Sequence, residues 1–158
     1  MSSSAAAGKA GRIVSINISR KKGQVKTPVP KAKVVAGEGI IDDAHRAFGH
    51  RQVSLLMLES IEEQAARIGD TGNIAIGPGA FAENLTTRGL DLRDIKVGDE
   101  LVIGGGRVRL RISQIGKECH TRCAIYKLTG DCIMPELGVF CEVLEGGTVR
   151  VGDAIEKQ

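Results

Sequence analysis

The run Glu100-Leu-Val-Ile-Gly-Gly-Gly-Arg-Val-Arg-Leu-Arg-Ile112 decides the fold class. Two short apolar-rich segments, Glu100–Ile103 and Arg107–Ile112, flank Gly104-Gly105-Gly106. Glycine takes the left-handed backbone that tight turns need, so this is a strong hairpin signal. In the second segment Val108, Leu110 and Ile112 alternate with Arg107, Arg109 and Arg111. A strand with that period turns its aliphatic face inward and its guanidinium groups outward.

The same punctuation continues in both directions. Val139, Cys141 and Val143 alternate before a Gly146-Gly147 turn. Gly11-Arg-Ile-Val-Ser-Ile-Asn-Ile-Ser19 reads as a first strand, with Val14, Ile16 and Ile18 on its inner side. Ile40-Ile-Asp-Asp-Ala-His45 leads through a polar loop to Gln52-Val-Ser-Leu-Leu56, a short buried strand. From Leu58 to Ile68 the pattern becomes helical, with Ile61, Ala65 and Ile68 on one face, and Gly69-Asp-Thr-Gly72 stops it. Val97-Gly-Asp99 and Val151-Gly-Asp153 are two copies of one local pattern, and no longer repeat or internal domain boundary is visible. Glycine is 21 of 158 residues against a usual share of roughly 7%, which predicts many tight turns. These features predict a mainly β protein, a compact closed barrel over residues 10–158 with one or two short helices. Residues 1–9 are expected to be a disordered tail.

Composition narrows the function classes. Hydrophobic residues at 42% and charged residues at 26% fit a globular chain. Aromatics are 3%, with no Trp, so stacking platforms for single-stranded nucleic acid are nearly absent. No apolar run approaches the roughly 18 residues of a membrane-spanning helix. The opening Met1-Ser-Ser-Ser-Ala-Ala-Ala7 has neither the cationic start nor the apolar centre of a secretory signal, so a cytoplasmic protein is expected. The net charge of +3 hides an asymmetry: Lys9, Arg12, Arg20, Lys21, Lys22, Lys26, Lys31 and Lys33 fall in a stretch without an acidic residue. Such a cluster suits an anionic ligand or an acidic partner, while the plain reading is a solvated loop around Thr27-Pro-Val-Pro30. The remainder of the chain is net acidic and carries no recognition motif, which argues against nucleic acid.

The segment richest in chemistry is Ile115-Gly-Lys-Glu-Cys-His-Thr-Arg-Cys-Ala-Ile-Tyr126, followed by Gly130-Asp-Cys-Ile-Met-Pro135. It follows the Arg107–Ile112 strand and therefore leaves the barrel as a loop, where function concentrates. Cys119, His120 and Cys123 lie beside Lys117 and Arg122, and neighbouring cations raise the thiolate fraction. Three readings stand for the four cysteines. Cys119 and Cys123 with His120 or Cys132 could hold a structural zinc. Buried inert thiols are the plain reading, favoured for Cys141 in its alternating strand. A single reactive thiolate holding a soft metal or a sulfur atom is the third, at Cys119 or Cys123. His45 and Asp131 read first as loop and turn residues, with a proton relay as the functional alternative.

Four passages together resemble the MOSC domains, named for the C-terminal part of molybdenum cofactor sulfurases. They are Asp43-Ala-His45 with His50-Arg-Gln-Val-Ser-Leu-Leu56; Phe81-Ala-Glu-Asn-Leu-Thr-Thr-Arg-Gly-Leu90; Ile95-Lys-Val-Gly-Asp-Glu-Leu-Val-Ile-Gly104; and the Cys119–Cys123 loop with Val149-Arg-Val-Gly-Asp153. The resemblance covers the chain from about residue 10 and implies a bent β-barrel of the pyruvate-kinase-barrel-like kind. It extends to a mitochondrial amidoxime-reducing component and a bacterial hydroxylaminopurine reductase, in which a loop cysteine binds the molybdenum of a pterin cofactor. By that resemblance Cys123 is the metal ligand. The spacing here is one residue longer, so Cys119 stays open as the alternative.

The resemblance further implies that Arg51, Lys117, Arg122 and the Asn84/Thr86/Thr87 loop hold the cofactor, its phosphate needing cations or N–H donors. Arg51 and Asn84 read equally well as turn or capping residues, and Arg109 and Arg111 as a solvated face. Reduction of N-hydroxylated compounds with Cys123, Cys119 and His120 in the site would need an external redox partner, because no haem, flavin or iron–sulfur motif is present. The alternatives are a persulfide carrier working with a cysteine desulfurase or other cofactor-biosynthesis protein, the pyridoxal phosphate residing on that partner, and a non-catalytic cofactor carrier. The chain has no counterpart of the amidoxime reductase's N-terminal extension domain, which leaves room for a second subunit.

Overall fold

Pairing of strands runs once around and closes on itself. The computed structural model describes residues 9–19, 26–43, 49, 52–68, 77–79, 81, 83–116 and 138–158, the side chains of 67 and 68 excepted. The strands are β1 Ala10–Ile18, β2 Thr27–Val29, β3 Lys31–Val35, β4 Gly39–Ile40, β5 Val53–Met57, β6 Leu85–Arg88, β7 Glu100–Ile103, β8 Val108–Ile115, β9 Val139–Glu145, β10 Gly147–Arg150 and β11 Ala154–Lys157. Helix α1 spans Leu58–Ile68. Neighbours follow the order β11-β7-β8-β9-β5-β6-β1-β2, and β11 also pairs with β1, so seven strands form a closed barrel with β2 as an extra edge. A second sheet, β10-β3-β4, sits beside it. The expected mainly β, closed-barrel fold is what the chain adopts.

Each wall strand has a sequence reason. In β8, Val108, Leu110 and Ile112 are buried while Arg109 and Arg111 reach out to Glu100 at 2.6 Å and Glu142 at 3.3 Å. Those two arginines, with Arg107 on Asp153, are the solvated face of the hairpin. Strand β5 is buried over its whole length because it lies between β9 and β6, with Val53, Leu55 and Met57 in the barrel core. It is parallel to β6, and parallel neighbours need a crossover; α1 supplies it. Ile61 and Gln64 are buried beneath the helix and Ala65 is half-buried, while the Ile68 side chain and residues 69–72 lie outside the described residues. Among the described residues no helix is long and apolar enough to cross a membrane.

Two expectations are corrected. Ile13, not Val14, joins Ile16 in the core. Ile13 pairs with Thr87 and Ser15 with Thr86, so Val14 is a bulge residue. One extra residue shifts the side-chain alternation by a step, which a strict period-two reading cannot anticipate. The stretch around Thr27-Pro28-Val29-Pro30 is exposed, as expected, but it is not a loop: it forms β2 and leads into β3. Pro28 is tolerated because β2 is an edge strand, where the missing N–H interrupts no central ladder.

The two Val-Gly-Asp copies mark a deeper likeness than the sequence reveals. In Lys96–Asp99 and Arg150–Asp153 the Asp N–H donates to the carbonyl three residues back at 3.0 Å, and each Asp carboxylate accepts that residue's N–H at 2.9 Å. Gly98 and Gly152 have φ of 98° and 97°, the left-handed geometry a type II turn demands at its third position. Gly98 and Asp99 bracket Ile112 of β8 as Gly152 and Asp153 bracket Ile13 of β1. A bulge follows each isoleucine, in β8 against β9 and in β1 against β6. Half of the barrel wall thus repeats the other half, with β5 as the strand that has no counterpart.

Candidate functional site

On the outer face of β1, β5 and β6 the chain buries a run of polar side chains. Bulging at Val14 turns Ser15 and Asn17 to this face. Asn84 stands just before β6 and acts as a piece of ladder: its Oδ1 accepts from the Ser54 N–H at 3.0 Å and its Nδ2 donates to the Asn17 carbonyl at 3.1 Å. Its main chain repeats both links, donating to the Ser54 carbonyl and accepting from Asn17 N–H at 2.7 Å. Ser15 Oγ donates to Asn17 Oδ1, and Asn17 Nδ2 donates to Thr86 Oγ1. The Thr86 hydroxyl in turn donates to Glu83 Oε2 at 2.6 Å.

Glu83 carries the network to the next loop. The Gly79 N–H donates to Glu83 Oε2 at 2.8 Å, and the Gly79 carbonyl accepts from Lys26 N–H at 3.0 Å. Gly79 has φ 86°, and a Cβ there would collide with the Lys26 carbonyl, so only glycine fits. Burial pushes the Glu83 carboxyl up from the usual range, against hydrogen bonds, those from Gly79 and Thr86 foremost, that pull it down. Its Oε1 has no partner among the described residues.

Lys26 itself is fully buried. Its Nζ lies 2.7 Å from Asp43 Oδ1, which also accepts from the Ser19 N–H at 3.1 Å. This member of the basic cluster is therefore an internal ion-pair partner rather than a solvated charge. The pair joins the residues flanking segment 20–25 to the residue before segment 44–48.

The structure brings some of the expected site residues into this network and leaves others outside the described residues. Asn84 and Thr86 are fully buried with their polar atoms engaged as above. Thr87 is buried and pairs with Ile13, and its hydroxyl has no partner among the described residues. Arg51, Lys117, Cys119, His120, Arg122, Cys123, Asp131, Cys132 and His45 lie outside the described residues. Cys141 is fully buried and free; burial pushes its thiol far above the ordinary range, so it is the inert core thiol expected. Among the described residues no cluster of His, Cys, Asp or Glu could hold a metal.

The base of the cysteine segment is nevertheless fixed. Gly116 N–H donates to the Gly138 carbonyl at 2.7 Å, so segment 117–137 leaves and rejoins the barrel at one point. One row of register partners, Ile115, Val139, Leu55, Leu85 and Ile16, crosses β8, β9, β5, β6 and β1. Gly116 and Gly138 lie one step from that row on one side, Asn17 and Asn84 one step on the other. Strands β9 and β6 are two spacings apart, roughly 10 Å. The polar network and the root of the cysteine segment therefore share one patch of wall.

The family model of the MOSC domain matches residues 42–156. The chain belongs to the MOSC domain family. Solved structures agree on the fold. The YuaD protein from Bacillus subtilis shares 20% identity with this MOSC chain at a TM-score of 0.74, covering 94% of this chain and 95% of that one. YiiM from Geobacillus stearothermophilus shares 23% at 0.68, covering 94% and 75%. YiiM from Escherichia coli shares 17% at 0.68, covering 94% and 69%. No curated protein matches the MOSC chain.

Sequence reasoning missed Lys26, Asp43, Asn17, Ser54 and Gly79 as parts of this framework. A polar Asn17 between Ile16 and Ile18, and a Gly77-Pro-Gly79 turn, were the available signals.

Proposed function

We propose that this MOSC protein binds a molybdenum–pterin cofactor through the Cys123 thiolate and reduces N-hydroxylated compounds with electrons from a separate protein. The observation that carries the reading is the family match over residues 42–156, which takes in Arg51, Asn84 and the whole Cys119–Cys123 segment. Chemistry of the thiols supports it by elimination. A soft metal needs a reachable thiolate, and Cys141 is sealed in the core, which leaves the cysteines of segment 117–137. The family's group fits such a donor set; when bound, it supplies a two-electron centre at which an N–OH group becomes N–H and water with uptake of two protons.

The residues of this chain divide the remaining work. Cys123 is the ligand, with Cys119 as its alternative; His120 holds or passes a proton; Arg51, Lys117 and Arg122 meet the cofactor phosphate. Asn84 and Thr86, expected as cofactor contacts, act through the framework that fixes the loop roots. The test is turnover by cofactor-loaded protein with a reduced viologen dye and a panel of amidoximes and hydroxylamines. Reduction lost in Cys123→Ser supports the reading. A persulfide on Cys123 after incubation with a cysteine desulfurase, with no reduction of the panel, replaces it with sulfur transfer.

A further inference from the structure

Beside the barrel, a cavity of about 300 Å³ is lined by Ile18, Val29, Ala32 and Ile41 with Lys31, Lys33, Arg150, Thr148 and Asp42. Its volume is at the small end of ligand pockets. Strand register explains the arrangement: Lys31 pairs with Arg150 and Lys33 with Thr148 across β3 and β10, so alternation sends all four side chains to one face. Ile18 and Val29 pack against the core and form an apolar floor with Ile41, while the Ala32 side chain turns to the opposite face of β3. The three cations are exposed, and among the described residues none of them makes an ion pair. By contrast, Arg107, Arg109 and Arg111 at the Gly104–Gly106 hairpin each have a carboxylate. Three cations against one Asp42 carboxylate leave a surplus matching a dianion.

We infer that this cavity is a binding site for a phosphate monoester carried on a small apolar or aromatic body, the phosphate meeting Lys31, Lys33 and Arg150 and the body lying on the Ile18/Val29/Ile41 floor. Charge-assisted hydrogen bonds from Arg150 and the two ammonium groups set the headgroup, and Thr148 adds a hydroxyl donor. The site uses part of the basic cluster that neither the Lys26 ion pair nor the cofactor reading accounts for, and it does not depend on that reading.

Phenyl phosphate is the probe, titrated into the full chain and followed by backbone amide NMR shifts. Saturable shifts at residues 29–33, 41–42 and 148–150 are expected, weakened at least about tenfold in the surface double variant Lys31→Ala/Arg150→Ala. Inorganic phosphate lacks the body and benzoate the second charge, so each should bind about tenfold more weakly than phenyl phosphate. The inference is overturned if those amides do not shift, if the double variant binds equally well, or if either simpler anion binds as tightly.

Discussion

Replacing Lys26 with Met removes one half of an ion pair whose two side chains are both fully buried. Methionine keeps the length and apolar stem of lysine, so the packing loss is small and the electrostatic consequence dominates. Asp43 keeps its hydrogen bond from Ser19 N–H but loses the ammonium 2.7 Å away, which removes a close counter-charge from a buried carboxylate. Breaking a buried pair in this way costs about 3–5 kcal/mol. For a chain of this size each kcal/mol moves the melting temperature by ~2–4 °C, so Lys26→Met should melt roughly 6–20 °C below the native protein. Removing both charges, Lys26→Met with Asp43→Leu, should recover most of that loss, because an apolar pair carries no desolvation penalty. Thermal unfolding followed by circular dichroism measures both variants. A loss below ~1 kcal/mol in the single variant, or no recovery in the double, would refute the ion pair as a structural clamp.

Asn84→Ala strips the side-chain partners from the Ser54 N–H and the Asn17 carbonyl, and with ~1–3 kcal/mol for each buried group left unmet, urea unfolding should show a loss of about 2–6 kcal/mol. Glu83 binds its proton more tightly folded than unfolded, so its contribution is present below the ordinary carboxylate range and is lost as pH rises through the raised folded value. Glu83→Gln has no such loss; the difference in melting temperature, variant minus native, should grow with rising pH, and a flat difference would show that the carboxyl is not shifted. Cys141 should resist a thiol-reactive dye in the folded protein and react once denaturant opens the barrel.

Local signals were the legible part of this chain. The Gly104-Gly105-Gly106 hairpin, the fully buried β5 and the Leu58–Ile68 helix depend on turn chemistry and periodicity, and all three stand where the sequence places them. Val14 shows the limit: a bulge is set by the partner strand β6, which lies some 70 residues away, and the alternation in β1 alone points to the wrong residue. Lys26 shows it again. The nearest charged residues in sequence are cations, and its buried partner Asp43 comes from 17 residues away along the chain. The Glu83-Asn84 motif was visible as a motif, but its work in tying β1 to β5 comes from contacts that no spacing encodes. The near-repetition of the barrel halves was equally hidden, because only the Val-Gly-Asp turns survive as matching residues.

Molybdenum content is the most direct measure of the central assignment. Protein produced with ample molybdenum–pterin cofactor should carry the metal by elemental analysis, Cys141→Ala should keep it, and Cys123→Ser should lose it. Metal retained unchanged in Cys123→Ser would contradict the account.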